Sequence, residues 1–432
     1  MTHTLPLDRA EDAFRLASDR TFLRRYDISR DDRLRSTFTL ARHSADSYLM
    51  VQGWAVQTLR GNEAQGAQPL ALPLIDYRRR FEQGPLGGVL LVQANTLALT
   101  RSEGQDTQRA FASALWERRT ITPLGQDVRF SLLARGDLYH TTGTALTLIP
   151  DYRGSEGVQG RAFAAGAVDI RWPLAGAVLG GQQRLTPRVQ LAVVSPVDNI
   201  DIPNEDSRAF ELEDGNIFAL NRFPGYDRFE DGARVTYGLE WSFTRPSLAI
   251  DAVIAQSYRL DDRPSLFAQG TGLRDTTSDI VGRTTVAYRD FVRLTHRFRL
   301  DDDTLAVRRN EVDLTLGTRG TYVIIGYNRL NRDITGFGED LRDREEVRFG
   351  ARARIARYWS VFGSAIIDLT DQAEDPTSVA DGYTPVRHRI GISYDDDCLT
   401  IGLTWRRDYL DRGDARAGNS FLLRLALRNL GV

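Results

Sequence analysis

Every second residue from Val235 to Phe243 is apolar: Val235, Tyr237, Leu239, Trp241 and Phe243 alternate with Thr236, Gly238, Glu240 and Ser242. A period of two marks a β-strand, because successive side chains point to opposite faces. The rhythm returns at Leu248, Ile250, Ala252 and Ile254 after the turn residues Thr244-Arg-Pro-Ser247, which predict a hairpin. It runs on from Ile280 to Leu300, read as one strand, and recurs at Val347–Ile355, Arg387–Tyr394, Leu399–Arg406 and Phe421–Arg428. Weaker versions lie at Leu34–Leu40, Tyr48–Leu59, Val89–Leu99, Arg109–Trp116, Val128–Tyr139, Arg161–Trp172 and Val189–Val194. We count about seventeen candidate strands, joined by polar Asp, Arg, Gly and Pro stretches with no helical pattern between them. The fold class is all-β and antiparallel.

A sheet of this kind hides its apolar stripe in a protein core, as in a soluble sandwich or propeller, or turns it to lipid around a polar interior. Several runs sustain alternation for about ten residues, the length that crosses a bilayer at a tilt, whereas ordinary strands average about five or six. Charge placement agrees. All 56 basic residues are Arg and none is Lys. They repeat on one face of strand after strand, as at Arg283, Arg289, Arg293 and Arg297, then Arg348 and Arg352. A forked, permanently charged side chain suits a wet interior lined with carboxylates. The reading is an antiparallel transmembrane β-barrel, partial, with these arginines facing its lumen.

Other classes have little support. Acidic and basic residues nearly cancel to a net charge of −2, which argues against a nucleic-acid footprint. No apolar run reaches the roughly 20 residues of a transmembrane helix. The histidines, His3, His43, His140, His296 and His388, show no metal-ligand spacing. No nucleophile elbow or phosphate loop is present, so neither an enzyme nor a cofactor is expected. Gly270-Thr-Gly272 reads as a turn. Asp301-Asp-Asp303 and Asp395-Asp-Asp397 offer hard oxygen ligands for a divalent cation, but each falls between strands and reads as a hairpin turn. Met1–Ala10 carries two charges and no apolar core, so no signal peptide is expected there. That leaves a cytoplasmic protein, or a fragment whose export signal lies upstream.

One segment breaks the rhythm. Over 199–234 the strands give way to Ile200-Asp-Ile-Pro-Asn-Glu-Asp-Ser207, an acidic stretch, and Leu220-Asn-Arg-Phe-Pro-Gly-Tyr-Asp-Arg228. Two Pro-containing turns with mixed charge predict a structured loop folded over or into a barrel mouth, held by pairs such as Arg222 or Arg228 with Asp206 or Asp227. A long surface loop is the alternative.

These residues resemble the C-terminal barrel portion of the LPS-assembly protein LptD (OstA) family, in its alphaproteobacterial form. The stretches that carry the resemblance are Ala17-Ser-Asp-Arg-Thr-Phe-Leu-Arg-Arg-Tyr26, Pro73-Leu-Ile-Asp-Tyr77, Leu185-Thr-Pro-Arg-Val-Gln190 and, above all, Asn221-Arg-Phe-Pro-Gly-Tyr-Asp-Arg-Phe-Glu-Asp-Gly-Ala-Arg-Val-Thr-Tyr-Gly238. The resemblance divides the chain into a lead-in at 1–16 and barrel at 17–432. It implies an outer-membrane translocon of Gram-negative bacteria that inserts lipopolysaccharide among outer-membrane lipids, without catalysis. The implied partners are an LptE-type plug lipoprotein and an LptA-type periplasmic bridge, the latter through an N-terminal domain not seen here. A seam strand is implied at Phe421, Leu423, Leu425 and Leu427, and Cys398 is implied to pair with the missing N-terminal region. The family barrel has more strands than are counted here, so the chain alone is expected to form an open or distorted barrel. Two other functions stay open: a general outer-membrane porin and a soluble β-rich binding protein.

Overall fold

The computed structural model describes residues 33–59, 63–147, 149–208, 210–331, 343–372, 378, 380–410 and 417–427. The Ala17–Tyr26 stretch and the 1–16 lead-in lie outside them. Twenty strands form one antiparallel sheet: β1 (Arg33–His43), β2 (Ser47–Thr58), β3 (Leu70–Phe81), β4 (Val89–Thr100), β5 (Asp106–Ile121), β6 (Asp127–Thr142), β7 (Gly157–Arg171), β8 (Leu174–Val178), β9 (Gly181–Val194) and β10 (Gly232–Arg245). They continue with β11 (Leu248–Arg259), β12 (Ile280–Tyr288), β13 (Val292–Leu300), β14 (Val307–Gly317), β15 (Tyr322–Leu330), β16 (Arg344–Arg354), β17 (Trp359–Asp368), β18 (Thr384–Asp395), β19 (Leu399–Asp408) and β20 (Gly418–Leu427). Each strand pairs with the next. The exception is β8, which extends the line of β7 past Pro173, so that β9 pairs with β7 along one half and with β8 along the other. Among the described residues no pairing joins β1 to β20, and these are the two edges of the sheet.

The strand count exceeds the sequence estimate for two physical reasons. The run from Ile280 to Leu300 is a hairpin, turning at Arg289, whose φ is 50°. Its turn, 289–291, keeps Tyr288 opposite Val292, so even-numbered residues hold one face on both arms and imitate a single strand. In β3, β15 and β17 the inner face carries Leu74, Ile324, Phe362 and Ile366, which blurs the contrast between faces.

The two ends of the sheet differ. One carries tight turns such as 246–247, 289–291 and 396–398; the other carries the long connections 143–156, 195–231, 260–279 and 369–383. Bacterial outer-membrane barrels have short periplasmic turns and longer extracellular loops. The outer face is apolar and exposed on almost every strand, from Phe38 and Leu40 on β1 through Leu132 and Leu138, Leu191 and Val193, to Ile390, Leu403, Phe421 and Leu423. Each such side chain is worth about 1.5–3 kcal/mol when removed from water, so a surface of this extent belongs against hydrocarbon. Near the tight-turn end the outer face gathers Trp241, Tyr288, Trp359 and Tyr394, the aromatic girdle of a membrane interface. The apolar stripes are not packed on a second sheet, as a soluble sandwich would require.

Candidate functional site

The connection 195–231 between β9 and β10 fills one part of the space inside the wall. Its aliphatic and aromatic residues form a core with the wall itself. Leu212 and Ile217 pack with Ala255 of β11, Val281 of β12, and Phe267 and Leu273 of the next long connection, and Phe223 stacks on Phe267 with ring centres 4.2 Å apart. Phe229 packs on Phe163, Ala165 and Val194.

Charge fixes the rest of this plug. Arg109 of β5 donates from Nη1 to Asp206 at 2.7 Å and to Asp227 at 2.6 Å. Asp227, almost wholly buried, also accepts from the Glu205 and Asp206 amides at 2.7 and 3.0 Å and from the Tyr139 hydroxyl at 3.1 Å. Arg135 of β6 and Arg161 of β7 share Asp137 and donate to the Tyr226 carbonyl at 2.9 and 3.0 Å. The Tyr226 hydroxyl accepts from Arg78 and Gln93, bringing in β3 and β4. Arg101 pairs with Glu205 at 2.7 Å, Arg283 of β12 with Asp214 at 3.3 Å, and Arg309 of β14 with Glu213 at 2.7 Å. Contacts from one segment to strands β3 through β14 require the sheet to curl around it.

The Asn221–Arg228 motif is the hinge of this packing. Gly225 has φ 69°, and a Cβ there would lie 2.3 Å from Asp206 Oδ1. That same oxygen accepts the Tyr226 and Asp227 amides at 2.9 and 3.0 Å. Glycine after Pro224 is therefore demanded both by the left-handed backbone and by the carboxylate that caps the turn. Asn221 bridges the two arms of the turn, donating to the Arg228 carbonyl and accepting from the Glu230 amide. Burial works against the Asp206 charge, but the Arg109 guanidinium and the two amides hold its carboxyl below the ordinary range. Burial likewise opposes ionisation of Glu230, and Arg234 and Arg222 overcome it, so this carboxyl too is held down.

The sequence expectation for the loop needs two corrections. The loop is inside the wall, yet Arg222 pairs with Glu230, not with Asp206 or Asp227. Arg228 donates to the carbonyls of Ile202 and Asp151 at 2.7 and 2.9 Å. The aspartates are taken instead by the wall arginine Arg109, which the sequence reading did not single out. Its signal was present, since Arg109, Arg135 and Asp137 occupy the face opposite the Ala110, Ala112 and Ala134 stripe.

Register carries the inner face around the wall. Pairing from Arg309, whose guanidinium meets the plug, places Arg348 and Arg352 of β16 on the inner face. Arg283, Arg293 and Arg297 share it, with Arg283 directly opposite Arg297. Arg289 does not: it sits in the β12–β13 turn at the tight-turn end of the sheet, its guanidinium over the Tyr288 ring. Phe421, Leu423, Leu425 and Leu427 of the edge strand β20 point outward and are exposed. Cys398 is an exposed free thiol in the β18–β19 turn. Asp301 is held down to about 2 by Thr304 and Arg308, and Asp279 is pushed up to about 6 by burial. Together with Asp302 they place one oxygen each within 4.8 Å of one another.

From β16 to β20 no plug contact is found among the described residues. The inner face there carries Arg344, Arg348, Arg352, Arg354, Arg387, Arg389, Arg406 and Arg424 against Glu346, Asp368, Asp395 and Asp408. Some are paired, as Arg387 with Asp408 at 2.6 Å and Arg344 with Glu346 at 2.7 Å. The balance of the described wall is nonetheless positive.

With this geometry in place, residues 12–359 match the family model described as LptD, LPS transport system D. The chain belongs to this family. The matched stretch holds the plug and the wall up to the first residue of β17. Curated relatives include the LPS-assembly protein LptD of Alcanivorax borkumensis, 23% identical over 262 residues, and that of Acinetobacter baumannii, 25% identical over 260 residues. Each alignment covers 58% of this chain but only 31% and 30% of the relative, so the chain spans about a third of their length. Among solved structures the copper transporter OprC aligns over 91% of this chain and 69% of its own, at 11% identity and a TM-score of 0.38.

Proposed function

We propose that this chain forms part of the wall of an outer-membrane translocon that delivers lipopolysaccharide to the outer leaflet, and that it is not an enzyme. The observation that carries the reading is the division of the inner face. Carboxylates and carbonyls of the plug and carboxylates of the wall take most of the arginines of β5 to β14, whereas on β16 to β20 arginines outnumber carboxylates and Arg344 and Arg348 are more than half exposed. Phosphates and acidic sugars suit such a surface, because forked contacts that are individually weak in water form and exchange as the substrate passes. An LptE-type lipoprotein plug would stand in the same open part of the lumen, and an LptA-type bridge would feed it through a domain N-terminal to the wall. The seam role of β20 and a disulfide from Cys398 to that domain belong to the same proposal.

The test is site-specific photo-crosslinking in the bacterium that carries the chain. A photoreactive residue in place of Arg352, on the inner face, is expected to capture lipopolysaccharide, and one in place of Phe349, on the outer face three residues away, to capture far less during transport. Equal capture at both, or none at residue 352, would overturn the reading. A general porin is distinguished by conductance: the plug fills part of the lumen, so small-ion conductance through the purified chain is expected to be lower than through a variant lacking residues 199–228.

A further inference from the structure

The outer face of the last three strands, near the extracellular rim, carries polar chemistry unlike the band below it. Cross-strand register sets His388 of β18 beside Arg407 of β19, and Arg407 beside Asn419 of β20. All three face outward, because their neighbours Arg387, Arg406 and Ser420 line the inside. The His388 ring nitrogen Nδ1 meets the Tyr409 hydroxyl at 3.0 Å, and the Arg407 guanidinium lies 4.8 Å over the Tyr409 ring. Trp405 donates its indole N–H to Asn419 Oδ1 at 3.2 Å, and Asn419 is exposed, with no acceptor for its amide N–H groups among the described residues. No carboxylate pairs with Arg407 among the described residues. One row lower the surface is Ile390, Trp405 and Phe421, and the next is Ile392, Leu403 and Leu423, exposed apart from the half-buried Trp405.

We propose that this outward face binds the phosphorylated headgroup of an outer-leaflet lipid, with Arg407 and Asn419 on the phosphate, His388 and Tyr409 beside them, and the acyl chains on the apolar field below. A permanent cation with amide and ring donors at headgroup height, directly above exposed aliphatic and aromatic side chains, matches an anionic amphiphile at both ends. The site adjoins the edge strand β20, so a lipid leaving across that edge would meet it first. The inference rests on the membrane placement and on the transport role proposed above.

The full chain in detergent is incubated with bisphosphorylated lipid A and bound lipid is counted by native mass spectrometry, with heat-dependent gel mobility reporting the folded wall. Lipid A retention is expected to fall at least about five-fold in Arg407→Gln and in Asn419→Ala, a shift of about 1 kcal/mol, and to be largely kept in Arg407→Lys. Lipid A stripped of both phosphates is expected to bind the wild-type chain as weakly as bisphosphorylated lipid A binds Arg407→Gln. Equal retention across the folded variants, or equal binding of the two lipids, would overturn the site. So would loss of a stable protein contact with lipid occupancy intact, which would make the face a protein interface. Because crosslinking at residue 352 reads the inner face, it can succeed or fail independently of this result.

Discussion

The two sides of the wall are written in the same residues and put to different uses. On the occupied side the Arg109 side chain is 3% exposed and ends between two plug aspartates; on the open side the Arg348 side chain is 55% exposed, with Glu346 at 3.7 Å. Alternating arginine and aliphatic residues built both strands. What separates them is the partner opposite. A guanidinium met by a buried carboxylate becomes a structural bolt, because removing either member strands a charge out of water, whereas one met by solvent keeps its donors for a passing anion.

The contrast is sharpest where it is most costly to disturb. Arg109→Ala strands Asp227 in the plug and is expected to destabilise the protein by about 3–5 kcal/mol. In limited proteolysis the 206–228 stretch should become cleavable; if it stays as resistant as in the parent, the plug is not held by this clamp. Gly225→Ala forces a Cβ into the Asp206 carboxylate and a left-handed backbone on alanine, and should lower stability by about 1–3 kcal/mol by urea titration. On the open wall, Arg348→Gln with Arg352→Gln should change stability by less than about 0.5 kcal/mol; a loss as large as that of Arg109→Ala would erase the distinction between the two sides.

A separate effect is a pH dependence at the rim of the occupied side. Burial raises the Asp279 carboxyl from 3.8 to about 6, so between these values the folded chain binds a proton that the unfolded chain has released. Its contribution is fully present below about pH 4 and is lost as pH rises through 6. The melting midpoint should drop by roughly 2–4 °C across that window, and Asp279→Asn should flatten this component.

Strand identity was legible because a wall between oil and water imposes a period of two. Boundaries were less so: the 280–300 hairpin kept its parity through the turn, and β17 hid behind an inner face holding Phe362 and Ile366. The plug announced itself as the one long break in alternation, and its Pro224-Gly225 turn could be read directly. Its partners could not. Nothing local to Asp227 says that its cation lies 118 residues upstream at Arg109, since that pairing exists only once the sheet has curled.

The strands differ in length, 16 residues in β5 and β6 but nine in β13 and β15. At about 3.3 Å per residue and a tilt near 40° the two sides stand about 40 and 23 Å tall. A collar this lopsided cannot match one bilayer thickness all the way round. Lipid beside the low side must adjust its thickness to meet it, so the bilayer that surrounds the wall is not of one height.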